Sequence, residues 1–221
     1  MGRNLPKEST TVGSQALLQQ LVEKQGFGES LLGSPVRWAS PAHPDYAEYY
    51  DQDFLDCLEI QNQPVPLRDF WPRSGPRWDA LGIGQDPDQT RILVEAKAYI
   101  EEADTDPTHA GEKSRPLIEE SLSKTQHFMK AKNARADWSR SFYQTANRFA
   151  HLYYLHELNR IPTELWFVCF CDNKAIRPTS AAEWRGALRL MHSHLGLGQK
   201  YPLKDRIRYL FVDSTSLEFV S

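Results

Sequence analysis

The chain has 221 residues, 40% of them hydrophobic and 25% charged, with a formal net charge of −3. That length suits one substantial core, and the composition is that of an ordinary globular protein. A global basic field that would announce nucleic acid is excluded, so any such binding needs a local patch. The three cysteines, Cys57, Cys169 and Cys171, are too few and too unevenly placed for a disulfide framework or a thiolate zinc site.

The N-terminal "MGRNLPKEST" lacks the apolar core of a signal peptide, and no apolar run approaches membrane-spanning length. A cytoplasmic protein without a membrane partner is expected. "SQALLQQLVEKQGFG" has helical spacing through Leu17, Leu18 and Leu21, with Gly26 as a stop. A Pro-rich connection follows (Pro35, Pro41, Pro44). Residues 1–44 therefore read as an N-terminal helix and connection, and 45–221 as the α/β domain proper, within one compact unit. "DYAEYYDQDFLDCLEI" reads as a helix through Tyr46, Tyr50, Phe54 and Leu58; it holds Asp45, Glu48, Asp51, Asp53, Asp56 and Glu59 and no base. "QPVPLRDFWPRSGP" is turn-rich, with room for a short strand from Leu67 to Trp71.

Next come two extended runs around the turn signal "QDPDQT", within "RWDALGIGQDPDQTRILVEAKAYI". The "GIG" at 82–84 reads as close packing or a bulge, not a phosphate loop. "SRPLIEESLSKTQHFMKA" opens a helix with Ser114 as N-cap and Pro116 in the first turn. "SRSFYQTANRFAHLYYLHELNR" is a helix with Phe142, Ala146, Phe149 and Tyr153 as one apolar stripe. "TELWFVCFC" is a buried strand in which Cys169 and Cys171 share one side. "TSAAEWRGALRLMHSHLGLG" is a helix with a capping-box pattern, Ser180 and Glu183, and "DRIRYLFVD" is a last strand. This order predicts helices on a central mixed sheet.

The strand "RILVEAKAYI" (91–100) is apolar apart from Arg91 and two charges in its middle. Side chains on a strand alternate between faces, so Ile92, Val94, Ala96, Ala98 and Ile100 share one side and Leu93, Glu95, Lys97 and Tyr99 the other. A hairpin symmetric about Pro87 sets Asp79 opposite Glu95, with Cβ atoms roughly 4.5–5.5 Å apart. Two carboxylates so close repel unless a cation joins them. Lys97 can serve one, and a divalent ion can serve both; oxygen-only ligands suit Mg²⁺ or Mn²⁺. An E-x-K triplet alone is weak evidence, since a chain of this length yields one by chance. Asp79 on the preceding strand and the helices that follow strengthen it.

Asp79 followed by Glu95-Ala96-Lys97 resembles the PD-(D/E)xK nuclease superfamily, whose restriction-endonuclease-like core is αβββαβ. "FWPRSGPRWDALG", "LVEAKA", "FYQTANRFAHLYYL" and "SAAEWRGAL" are similar to bacterial members without an assigned substrate. Trp78 stands where the name-giving proline would be. The resemblance implies a Mg²⁺- or Mn²⁺-dependent nuclease hydrolysing phosphodiester bonds, with Asp79 and Glu95 as metal ligands and Lys97 as the charge that orients or activates water. It also implies nucleic acid as partner, DNA favoured over RNA, and a homodimer, since many members act as dimers. Relatives add a Glu from the first core helix, for which Glu48 is the candidate ahead of Glu59, and some add a Gln, for which Gln144 is the candidate.

Gln144, Arg148 and His151 form a polar stripe at i, i+4, i+7, and Arg148 could hold a phosphate. Residues 111–148 carry Lys113, Arg115, Lys124, Lys130, Lys132, Arg135, Arg140 and Arg148 against four acids, a surplus that could track a nucleic-acid backbone. Lys124, Lys130 and Lys132 are the contacts expected beside Arg148. Two rivals remain: a non-catalytic module with the same fold that binds nucleic acid or protein, and a surface salt network without chemistry.

Overall fold

The structure, a computed structural model, describes residues 3–4, 13–24, 26–41, 47–103, 108, 110–132, 137–174 and 177–220. Pro44, Asp45, Tyr46 and Arg135, named above, lie outside them. Six strands form one mixed sheet: β1 (Val36–Ser40), β2 (Ala80–Gly84), β3 (Arg91–Lys97), β4 (Thr163–Cys171), β5 (Ile207–Asp213) and β6 (Glu218–Phe219). Their spatial order follows the chain. β1, β2 and β3 are an antiparallel meander, β3, β4 and β5 run parallel, and β6 returns antiparallel. The main helices are α1 (Ser14–Glu23), α2 (Arg115–Phe128), α3 (Tyr143–Tyr153) and α4 (Ala181–His194). An α/β architecture with a mixed sheet flanked by helices results, as the order of elements predicts. Among the described residues no helix is long and apolar enough to cross a membrane.

The alternation in β3 is what builds the layers. Ile92, Val94 and Ala96 face Leu17, Leu18 and Leu21 of α1 on one side of the sheet, together with Trp166, Val168 and Phe170 of β4. Leu93, with Leu81, Leu165 and Phe167, faces Ile118 and Leu122 of α2 and Ala146, Phe149 and Leu152 of α3 on the other. β4 is buried along its whole length because helices cover both of its faces. Cys169 and Cys171 pack against Ala181 and Trp184 of α4, and burial pushes both thiols up, so they are core residues. The capping box is present: Ser180 Oγ accepts from Glu183 N–H, and the Glu183 carboxylate accepts from Ser180 N–H. Ser114 does precede α2, but its side chain makes no cap. A Cβ on Gly82 would lie 2.9 Å from Val36 Cγ1, so "GIG" is close packing.

Three local expectations are corrected. The predicted helix over 45–60 is a helix only at Gln52–Cys57; Glu48–Tyr49 is extended, Tyr49 bridging to Trp78 and pairing with Arg3. Asp51 at φ 58° breaks any continuous helix there. Glu48 is therefore not on the first core helix; α1 is the helix that packs on the sheet ahead of the meander. Leu67–Phe70 is a short helix, not a strand, because Pro66 opens it and Leu67 and Phe70, three apart, are both buried. Within the expected Pro-rich connection, "VRWAS" forms edge strand β1, bounded by Pro35 and Pro41 as prolines at strand ends allow.

Candidate active site

The hairpin pairs about Pro87: Ala80 with Val94, Leu81 with Leu93, Gly82 with Ile92 and Ile83 with Arg91. At Asp79 the ladder changes. Asp79 N–H donates to Val94 C=O at 3.2 Å although Ala80 is the residue paired with Val94, so two residues share one partner, as in a bulge. The carboxylate then takes the role of a backbone acceptor: its Oδ2 accepts Ala96 N–H at 2.7 Å. The simple cross-strand pairing of Asp79 with Glu95 is thus replaced by a re-aimed carboxylate that still feels Glu95 as its strongest neighbouring charge.

Glu95 lies on a central strand and is 1% exposed, yet it is charged because two cations close on it. Lys97 Nζ is 2.6 Å from Oε1; Arg148 Nη2 and Nε are 2.6 and 2.7 Å from Oε2. Burial pushes the Glu95 carboxyl up, but Arg148 and Lys97 together outweigh it and hold it below the usual carboxylate range. Lys97 also donates to Gln144 Oε1 at 2.8 Å. Burial works against its charge, and Glu95 and Asp79 more than restore it, so Lys97 is a fixed cation and not a base. The strand accepts its charges because they neutralise one another.

Asp79 differs. Part of the residue reaches solvent while its carboxyl is surrounded by protein, and among the described residues it has no ion pair. Burial and the Glu95 charge push it up to about 8, against Lys97 and the Ala96 N–H. Glu48, brought alongside by the Tyr49–Trp78 bridge, is half-buried; burial raises it, and its charge is felt at Asp79.

Arg148 is not on an exposed face. It is 3% exposed, and its remaining donors go to Asn147 Oδ1 at 2.7 Å and Arg77 C=O at 2.8 Å, with Trp78 4.9 Å beneath the guanidinium. With every edge engaged it has none to offer a phosphate, so its assignment as a nucleic-acid contact is corrected: it braces Glu95. Lys124, Lys130 and Lys132 are exposed, Lys124 pairing with Glu120 at 2.8 Å. Lys132 N–H bonds Gly196 C=O beyond the end of α4, which runs back from the carboxyl end of β4. That places Lys132 at the opposite end of the sheet from Lys97. Glu59 pairs with Arg37 outside the cluster. Sequence reading missed Glu102, whose carboxylate accepts Ala98 N–H at 2.6 Å and is raised by burial while feeling Lys97. It also missed Asn147; neither residue carries a local pattern that marks it.

His151 is walled in by Phe54, Phe70, Trp71 and Trp78, with Nδ1 2.8 Å from Asn147 C=O. Burial pushes it down to about 3. The unfolded chain takes up a proton near 6.5 that the folded chain refuses until about 3, so stability is lost as pH falls through that window, by up to about 1.4 kcal/mol per pH unit. In urea unfolding, His151→Phe should show a correspondingly flatter acid limb than wild type. Parallel limbs would mean that the ring is not buried neutral.

Asp79 and Glu95 form an all-oxygen donor set, and the raised Asp79 is a carboxylate in want of a cation. A hard divalent ion fits that chemistry. Among the described residues no three His, Cys, Asp or Glu side chains converge, so water and substrate phosphate would complete the shell. No family, no curated protein and no solved structure matches the chain.

Proposed function

We propose that the protein is a metal-dependent nuclease, with a restriction-endonuclease-like αβββαβ core and an Asp/Glu-x-Lys site, acting on nucleic acid, DNA in preference to RNA. Support for the fold comes from the succession of α1, the antiparallel β1–β2–β3, the helices α2 and α3, and β4 parallel to β3. The single observation that carries the activity is Asp79, beside Glu95 and Lys97, held up to about 8 without a counter-ion. Asp79 and Glu95 would hold Mg²⁺ or Mn²⁺. The ion would supply a lowered water pKa and neutralise charge on the phosphate. Lys97, fixed by Glu95 and Gln144, stands ready to stabilise the pentacovalent phosphate as negative charge gathers there. Arg148 keeps Glu95 ionised and aimed. Asp79 gives up its proton when the ion binds.

One observation favours a second reading. Both Glu95 oxygens are already taken by cations, which suits a non-catalytic module whose ion cluster only holds the fold. Titrating Mn²⁺ calorimetrically into wild type and Asp79→Ala separates the two. The nuclease reading expects binding that is lost in the variant and that strengthens about tenfold per pH unit up to about pH 8, because the ion must displace the Asp79 proton. Binding in neither protein, even with a DNA duplex present, would move the module ahead.

A further inference from the structure

Arg148 and the 111–148 surplus do not supply a path for a nucleic acid to the site, so the cations that do must lie elsewhere. Many arginines in this chain are committed: Arg37 to Glu59, Arg140 to Asp137, Arg160 to Glu157 and Arg208 to Glu164. Arg73 and Arg77 are different. Both are exposed, and among the described residues neither guanidinium makes a hydrogen bond or an ion pair. They share segment 72–77, which contains no acid and runs directly into Asp79.

This segment is pinned in place. Pro72 and Pro76 restrict its backbone, and Pro76 is buried. Gly75 packs so closely that a Cβ there would lie 3.4 Å from Trp71 Cδ1 and 3.5 Å from His151 Nε2. Arg77 C=O accepts from Arg148, and the Arg77 guanidinium carbon lies 4.4 Å from the centre of the Tyr50 ring. Stacking of that kind orients the planar fork while its edge donors stay open, which is the geometry for gripping a phosphate. The Arg77 charge also acts on Glu48 beside Asp79, so the fork stands at the mouth of the site. Cations held in place before binding lose little entropy on contact.

We propose that the 72–77 loop, through Arg73 and through Arg77 stacked on Tyr50, grips the phosphate backbone of a nucleic-acid strand and leads it to Asp79 and Glu95. The inference rests on the nuclease reading and names the surface that reading needs.

The test is fluorescence anisotropy of a labelled DNA duplex, a DNA single strand and an RNA single strand, in EDTA and across a NaCl series. Wild type is compared with Arg73→Ser/Arg77→Ser. The double variant should bind at least about tenfold more weakly, with the slope of log affinity against log salt reduced by nearly two. Its melting temperature should match wild type, since both side chains are exposed and unpaired. Wild type that binds while the double variant keeps the same affinity and slope overturns this inference alone, as does cleavage by wild type with KM unchanged in the variant. Wild type that neither binds nor cleaves any of the three overturns the nuclease reading and this inference together.

Discussion

Arg148→Met is expected to destabilise the protein by about 3–5 kcal/mol, the usual cost of stripping one partner from a buried ion pair. In a chain of this size that is a fall in melting temperature of roughly 10 °C or more. Three losses coincide. Glu95 Oε2 keeps its burial and loses both of its short contacts, Asn147 Oδ1 loses its donor, and Arg77 C=O loses its own. Arg148→Lys keeps the charge but not the planar fork, so it should fall between Met and wild type. Thermal and urea unfolding measure all three proteins. A loss below about 1 kcal/mol in the Met variant would mean that Lys97 alone suffices for Glu95, and that Arg148 does not brace the site.

Lys97→Met addresses the other end of the same carboxylate and should have the opposite profile. Against a substrate that wild type cleaves in Mg²⁺, cleavage should fall by at least about 10³-fold, with little change in melting temperature. Methionine matches the stem of the lysine, the side chain is only 14% exposed, and Glu95 retains Arg148. The fixed charge at the phosphate is what is removed. Full cleavage by the variant would sink the role of Lys97, and a large loss of stability would turn it into a second brace. The pair of variants therefore tells an ion cluster built for the fold from one that also serves chemistry.

The candidate site was legible in part because strand periodicity is local. Glu95 and Lys97 had to share a face, and the apolar Ile92, Val94 and Ala96 had to face the other way, whatever they packed against. Turn chemistry around Pro87 was likewise enough for the hairpin register from Ala80 to Ile83. Gln144 could be matched to the site, and it meets Lys97 at 2.8 Å. Glu48 was named on the wrong element. Its helical-looking spacing yields to the pairing of Tyr49 with Trp78, a contact between segments far apart in the chain.

By itself the sequence determined the class of fold, the facing of β3, the capping box at Ser180 and the placing of Asp79, Glu95 and Lys97 within one hairpin, because periods of 2 and 3.6 residues and turn residues act within a few positions. Only the tertiary structure decided that Arg148, 53 residues from Glu95, is its buried counter-ion and not a surface cation. It also decided that Asp79 sits at a bulge with no ion pair of its own, and that Arg73 and Arg77 stay unpaired. Those outcomes depend on which helix face closes over which strand end, and on how much water is left there. A carboxylate's charge and partners follow from that closure, not from its neighbours in the chain.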